Sequence, residues 1–157
     1  MDKIINIEEA SKISAKQKSL NRKIVLVGGC FDILHKGHLM FLEEAAKIGD
    51  LLFVLLESDE NVKTRKGESR PINSRIERAS ALANLPYVDY VISLFGVTKD
   101  EDYDKLIVQI SPDIVALTKG DAQIEKREQQ CQLIGAKLIE VSKLDTPSTT
   151  DLVKLIN

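Results

Sequence analysis

Cysteine is scarce in this sequence. The only two thiols, Cys30 and Cys131, lie far apart in a chain of 157 residues. That excludes a disulfide-stapled fold and finger-like zinc ligation, which need cysteines at short spacings. It suggests free thiols in a reducing compartment. No apolar run is long enough to span a bilayer, and the start, Met1-Asp2-Lys3-Ile4-Ile5-Asn6, lacks an apolar signal region. Neither sign of charge dominates. Lys and Arg number 22, Asp and Glu 24, and the net charge is -2, so nothing points to nucleic acid as a partner. Internal repeats and low-complexity tracts are lacking too. What remains is one ordinary domain, 43% apolar, able to bury a core without disulfides or metal. A cytoplasmic enzyme fits these absences, with no membrane partner. The expected layout is an N-terminal helix and linker over residues 1–22 and an α/β core over 23–157.

Histidine is also rare, and its placement is informative. Both histidines fall in Gly28-Gly29-Cys30-Phe31-Asp32-Ile33-Leu34-His35-Lys36-Gly37-His38. The preceding run Ile24-Val25-Leu26-Val27 is short, apolar and β-branched, as a buried strand would be. The following Leu39-Met40-Phe41-Leu42-Glu43-Glu44-Ala45-Ala46 reads as a helix closed near Gly49. A strand, a glycine-bearing loop and a helix start present free backbone N–H groups and the positive end of a dipole, which suit a phosphate. Gly28, Gly29 and Gly37 allow close approach of an anion. The imidazoles of His35 and His38 can donate to phosphoryl oxygens, and Lys36 adds charge. Two blander readings compete: a structural histidine pair, or a metal site, which would need further ligands.

The rest of the chain alternates strand and helix. Residues 4–20 carry apolar groups at helical spacing, with acid early and base late. Residues 51–56, 87–94, 113–117 and 137–141 read as further strands. Residues 57–69 read as a polar, charged loop containing Lys63, Arg65 and Lys66. Asn73 is placed to cap a helix bearing Arg75 and Arg78. Helices are also expected over 100–110 and 121–133. Thr118-Lys119-Gly120-Asp121 puts a glycine and polar groups at another strand end, where open α/β sheets bind ligands. Ser148, Thr149 and Thr150 can cap a last helix and offer hydroxyls to phosphate.

His35-Lys36-Gly37-His38 has the His-x-Gly-His form of the nucleotidylyltransferase superfamily. The string from Gly29 to His35 resembles its cytidylyltransferase-like branch. That branch includes glycerol-3-phosphate cytidylyltransferase, archaeal FAD synthetase and the adenylyltransferase of ADP-heptose synthesis. The leading helix, the lysine-rich segment, Arg70-Pro71-Ile72-Asn73 and Ser148-Thr149-Thr150 are most similar to the last of these. The resemblance implies a Rossmann-like, doubly wound, five-stranded parallel sheet in the order 3-2-1-4-5. It implies transfer of AMP from ATP to a sugar 1-phosphate such as heptose 1-phosphate, with CTP and glycerol 3-phosphate, or ATP and FMN, as alternatives. A nucleotide-binding regulatory module without catalysis is the reading from another class.

The same resemblance implies roles for residues. His38 would hold the α-phosphate and His35 the β- or γ-phosphate. Lys63, or failing it Lys66, would reach a phosphate, and Arg78 with Ser148 or Thr149 would stabilise departing pyrophosphate. Gly29, Cys30, Phe31, Asp32 and Gly37 would line the nucleotide, and Lys119, Gly120 and Asp121 would lie beside its base or sugar. Mg²⁺ would arrive with the triphosphate, with no dedicated protein ligands. A homodimer is the assembly seen often among relatives. Two departures stand out: one glycine fewer at Lys119-Gly120-Asp121, and Pro147 before the hydroxyl run.

Overall fold

The computed structural model describes residues 2–142 apart from residue 97. The expected sites at Ser148, Thr149 and Thr150 lie outside the described residues. Among the described residues, six parallel strands form one sheet. In chain order they are β1 (Ile4–Ile5), β2 (Ile24–Gly29), β3 (Leu51–Leu56), β4 (Tyr90–Ser93), β5 (Ile114–Thr118) and β6 (Lys137–Val141), and their spatial order is β1-β4-β3-β2-β5-β6. Six helices lie between them: α1 (Ile7–Ser19), α2 (Lys36–Ala46), α3 (Asp59–Lys66), α4 (Arg75–Ala83), α5 (Asp100–Ile110) and α6 (Ile124–Ile134).

The central strands are buried on both faces, which explains their unbroken apolar runs. All six residues of β3 are buried. One apolar layer joins Val25, Val27, Leu52 and Val54 to Leu42 of α2 and Leu82 of α4. The other joins Ile24, Leu26 and Phe53 to Ala10 of α1 and Ile107 of α5. Helices therefore cover both faces of the sheet. Winding runs from β2 through β3 to β4, then reverses to β5 and β6. The cleft between β2 and β5 at their carboxyl ends is the switch point, where such sheets bind ligands.

The expected five-strand order is present, with a sixth strand added at one edge. Residues 4 and 5, assigned by periodicity to the first helix, instead pair with Val91 and Ile92. Asn6 stops the helix from starting earlier. Its side chain accepts from the Glu9 amide at 2.8 Å, and Glu9 accepts from the Asn6 amide, a reciprocal cap. Two residues are too few to show a strand's period. The polar segment expected as a loop over residues 57–69 contains α3, capped by Ser58. Only Asn61 and Val62 of α3 are buried, so it has no apolar stripe to read. The cap of α4 is Ser74 rather than Asn73, because Asn73 is drawn off to Asp32.

Candidate active site

The histidine loop is held by its own backbone. His35 is the N-cap of α2 and His38 sits one turn in. His35 Nδ1 accepts from the Gly37 amide at 3.1 Å, which leaves the proton of the neutral ring on Nε2. The His35 amide donates to His38 Nδ1 at 3.4 Å. The two rings stack, with centroids 3.9 Å apart and planes at 25°. Burial, and secondarily the neighbouring His35, lowers the His38 pKa to about 4, against an opposing bond to the Ile33 backbone. Burial also lowers the His35 pKa. At neutral pH His38 is therefore an uncharged hydrogen-bonding imidazole.

Phe31 explains the glycine before it. Phe31 adopts a left-handed backbone, with φ of 47°. Its buried ring meets His38 edge-on, with centroids 5.5 Å apart. A Cβ on Gly29 would come within 2.9 Å of that ring. Gly29 thus makes room for the aromatic ring that braces His38.

Asp32 is fixed from behind. Its carboxylate accepts from Arg70 Nε at 2.8 Å and from the amides of Ile72 and Asn73 at 2.8 Å each. Burial alone would raise its pKa, but the two amides and the guanidinium together hold it below the usual carboxylate value. The Arg70–Pro71 peptide is cis. Asp32, expected beside the nucleotide, is 2% exposed; it lines the cavity between β2 and β5 and ties the histidine loop to the turn before α4.

Arg78, expected at the departing pyrophosphate, is 1% exposed and is not among the residues that line the cavity. Its Nη1 donates to the carbonyls of Cys30 at 2.8 Å and Glu57 at 3.0 Å, and its Nε donates to that of Asn73 at 3.1 Å. Nη2 pairs with Asp59 at 2.7 Å. One guanidinium thus joins the ends of β2 and β3 to the starts of α3 and α4. Its planar fork meets several carbonyls at once, a task a lysine would not do.

A cavity of about 460 Å³ opens at the carboxyl ends of β2 and β5. Gly29, Cys30, Phe31 and His38 line one wall. Burial, then the Glu57 charge, raises the pKa of the Cys30 thiol, so it stays protonated. Lys66 lines the cavity, whereas Lys63 does not and instead pairs with Glu68 at 3.1 Å on the surface. The order of preference between the two lysines is thereby reversed. Asp121 also lines the cavity, but Lys119 and Gly120 are exposed outside its lining. Gly120 takes φ of 81° in the turn, a conformation that suits glycine.

Among the polar lining residues, Glu57, Tyr103, Gln123 and Arg127 escape the sequence reading, and Arg65 enters it only as part of the charged segment. Glu57 left a signal, an acid at the end of a wholly apolar strand. Tyr103 left none, since it falls in the apolar stripe of α5.

A parallel sheet with this switch point, and a glycine loop leading into a histidine-capped helix, defines a nucleotide-phosphate-binding α/β domain. The pattern of the family described as cytidylyltransferase-like matches residues 26–149. The chain belongs to that family of nucleotidyltransferases. It is 43% identical over 98% of its length to the bifunctional protein HldE of Aliarcobacter butzleri, and 40% identical over 98% to that of Haemophilus ducreyi. It spans about a third of the length of these relatives, 31% and 32%. Among solved structures, it resembles the lipopolysaccharide core biosynthesis protein of Thermoplasma volcanium. The TM-score is 0.67 at 29% identity, covering 79% of this chain and 99% of that one. A pantoate-beta-alanine ligase from Francisella tularensis shares the fold, with a TM-score of 0.66 at 19% identity, covering 92% and 68%.

Among the described residues no helix is long and apolar enough to cross a membrane. Among them there is also no cluster of three or more His, Cys, Asp or Glu side chains able to cage a metal.

Proposed function

We propose that the chain transfers AMP from ATP to the phosphate of a sugar 1-phosphate, with heptose 1-phosphate the leading acceptor. The single observation that carries this reading is the stacked imidazole pair at the tip of α2, beside a cavity at the switch point. The whole-length similarity to HldE proteins supports the choice of ATP and a heptose phosphate.

An oxygen of the acceptor phosphate attacks the α-phosphorus. The bond from that phosphorus to the bridging oxygen breaks, and pyrophosphate leaves. No protein nucleophile is required, because a phosphate oxygen already serves. The protein contributes alignment and neutralisation of growing charge. His38 would donate to the α-phosphate and bridging oxygen, and His35 to the outer phosphates through its Nε2 proton. The amide groups at the start of α2 would add to this, and Lys66 would neutralise the triphosphate. A neutral His38, its Nδ1 accepting from the His35 amide, keeps one N–H to donate without the cost of holding a buried cation. The donor set fits Mg²⁺ that enters on the triphosphate: Asp32 and Glu57 are committed to protein partners, so phosphates and water would hold it. Such an ion would supply charge screening between the phosphates. A homodimer is the proposed assembly, which light scattering would check.

The test is pyrophosphate release with ATP or CTP against heptose 1-phosphate, glycerol 3-phosphate and FMN. ATP with heptose 1-phosphate should turn over fastest. His38→Ala should lower kcat by about 10²–10³-fold, the cost of losing one transition-state donor. Full turnover by that variant would remove His38 from the mechanism.

A further inference from the structure

The wall of the cavity formed by α3, α5 and α6 holds charged groups that the nucleotide chemistry above does not use. At its centre is Tyr103 on α5. Two guanidiniums lie over its ring: Arg65 of α3 at 5.5 Å and Arg127 of α6 at 5.4 Å from the centroid. Arg65, Tyr103 and Arg127 all line the cavity. Arg65 Nη2 donates to the Tyr103 hydroxyl at 3.2 Å, and its Nη1 lies 3.5 Å from Glu57 Oε1. The Tyr103 hydroxyl donates to the same Glu57 oxygen in a short bond, and Asn61 Nδ2 donates to Oε2 at 2.9 Å. Arg127 Nη1 donates to Gln130 Oε1 at 2.8 Å.

Each guanidinium carries five N–H donors in a fixed fork. Among the described residues, these contacts engage only part of each fork. Two such cations beside one ring repel each other. The aromatic faces and the single buried carboxylate of Glu57 offset that repulsion. What the arrangement lacks is an anion with several oxygens, and a phosphate monoester supplies one with a geometry suited to two forks.

We propose that Arg65 and Arg127 form a clamp beside Tyr103 for the phosphoryl group of the acceptor substrate. The inference rests on the nucleotidyl-transfer reading above. In that reading the tip of α2 takes the nucleotide's phosphates, which leaves the clamp for the other phosphorylated partner. Arg65 and Arg127 touch the substrate. Tyr103 is a positioning residue that acts through Arg65, with Glu57 and Asn61 holding its hydroxyl.

The experiment titrates the full chain with heptose 1-phosphate and, separately, with ATP and Mg²⁺ in a calorimeter, alongside steady-state kinetics. Arg65→Ala and Arg127→Ala should each weaken heptose 1-phosphate binding about ten-fold or more and raise its KM in step. The KM for ATP should move less than about two-fold. Arg127→Lys should restore part of the loss. Tyr103→Phe keeps the ring and removes the hydroxyl, and it should raise the acceptor KM while leaving kcat nearly constant. Combined with Arg65→Ala it should add almost nothing, whereas a merely structural hydroxyl would give additive losses. Melting curves establish that each variant is folded.

Unchanged acceptor binding in both alanine variants overturns the clamp, as does a loss that appears in ATP binding instead. If the unmutated chain binds ATP and the alanine variants bind acceptor normally, only the clamp fails. If it binds neither ATP nor heptose 1-phosphate, the nucleotidyl-transfer reading fails and the clamp falls with it.

Discussion

His38 binds fewer protons when folded than when unfolded. Its pKa is about 4 in the folded chain and 6.5 for an ordinary histidine. Between those values the unfolded chain takes up the proton more readily, so stability rises with pH through this window and falls as pH drops from 6.5 toward 4. Melting curves from pH 7 to pH 4 should show that fall, and His38→Asn should flatten it. Carboxylates titrate at the lower end of the window, so the difference between the two proteins is the quantity to read. Gly29 offers a second check at this scale. Gly29→Ala would put a methyl carbon 2.9 Å from the Phe31 ring. The ring would have to shift, and His38 would lose its brace. Turnover should fall several-fold at least while the chain stays folded, a split that kcat and a melting curve together would reveal.

The elements around the site depend on buried polar ties more than on apolar stripes. Arg78 joins four of them, and its removal would leave the carbonyls of Cys30, Glu57 and Asn73 without their donor. Arg78→Met should cost about 3 kcal/mol or more, because three carbonyls each lose a charged donor at about 1–3 kcal/mol. Denaturant unfolding measures this directly, and a loss under about 1 kcal/mol would contradict the tie-bar role. Ser74→Ala removes an ordinary cap from α4 and should cost only about 1 kcal/mol. The contrast between the two variants separates a tie across the site from simple helix capping. Helix α3 belongs at this scale as well. It carries Arg65 and Lys66 to the cavity although its sequence reads as a loop, because Ser58 and Asn61 fasten it through hydrogen bonds to Gly96 and Glu57.

For the molecule as a whole, a nucleotide that binds only the folded chain must raise its melting temperature. ATP with Mg²⁺ at about 100 times its dissociation constant should add about 2.7 kcal/mol. A panel of ATP, CTP, GTP and UTP in a thermal-shift assay would rank the bases, and no shift with any of them would contradict nucleotide binding.

The alternation of strand and helix was legible in the chain, because buried parallel strands need unbroken apolar runs and helices need a 3.6-residue period. The histidine loop was legible for a similar reason. His35, Gly37 and His38 act through local backbone, so their spacing already contains their geometry. Tertiary structure alone decided which distant side chains face the cavity. Arg78 looks like a ligand contact by type, yet packing turns it inward to satisfy buried carbonyls. Lys66 lines the cavity from the last turn of α3, whereas Lys63, one turn earlier, pairs with Glu68 on the surface. Tyr103 and Arg127 stand 24 positions apart in sequence and meet only once α5 and α6 pack side by side. Local patterns report local geometry, while a contact between separate elements depends on how the whole sheet and its helices come together.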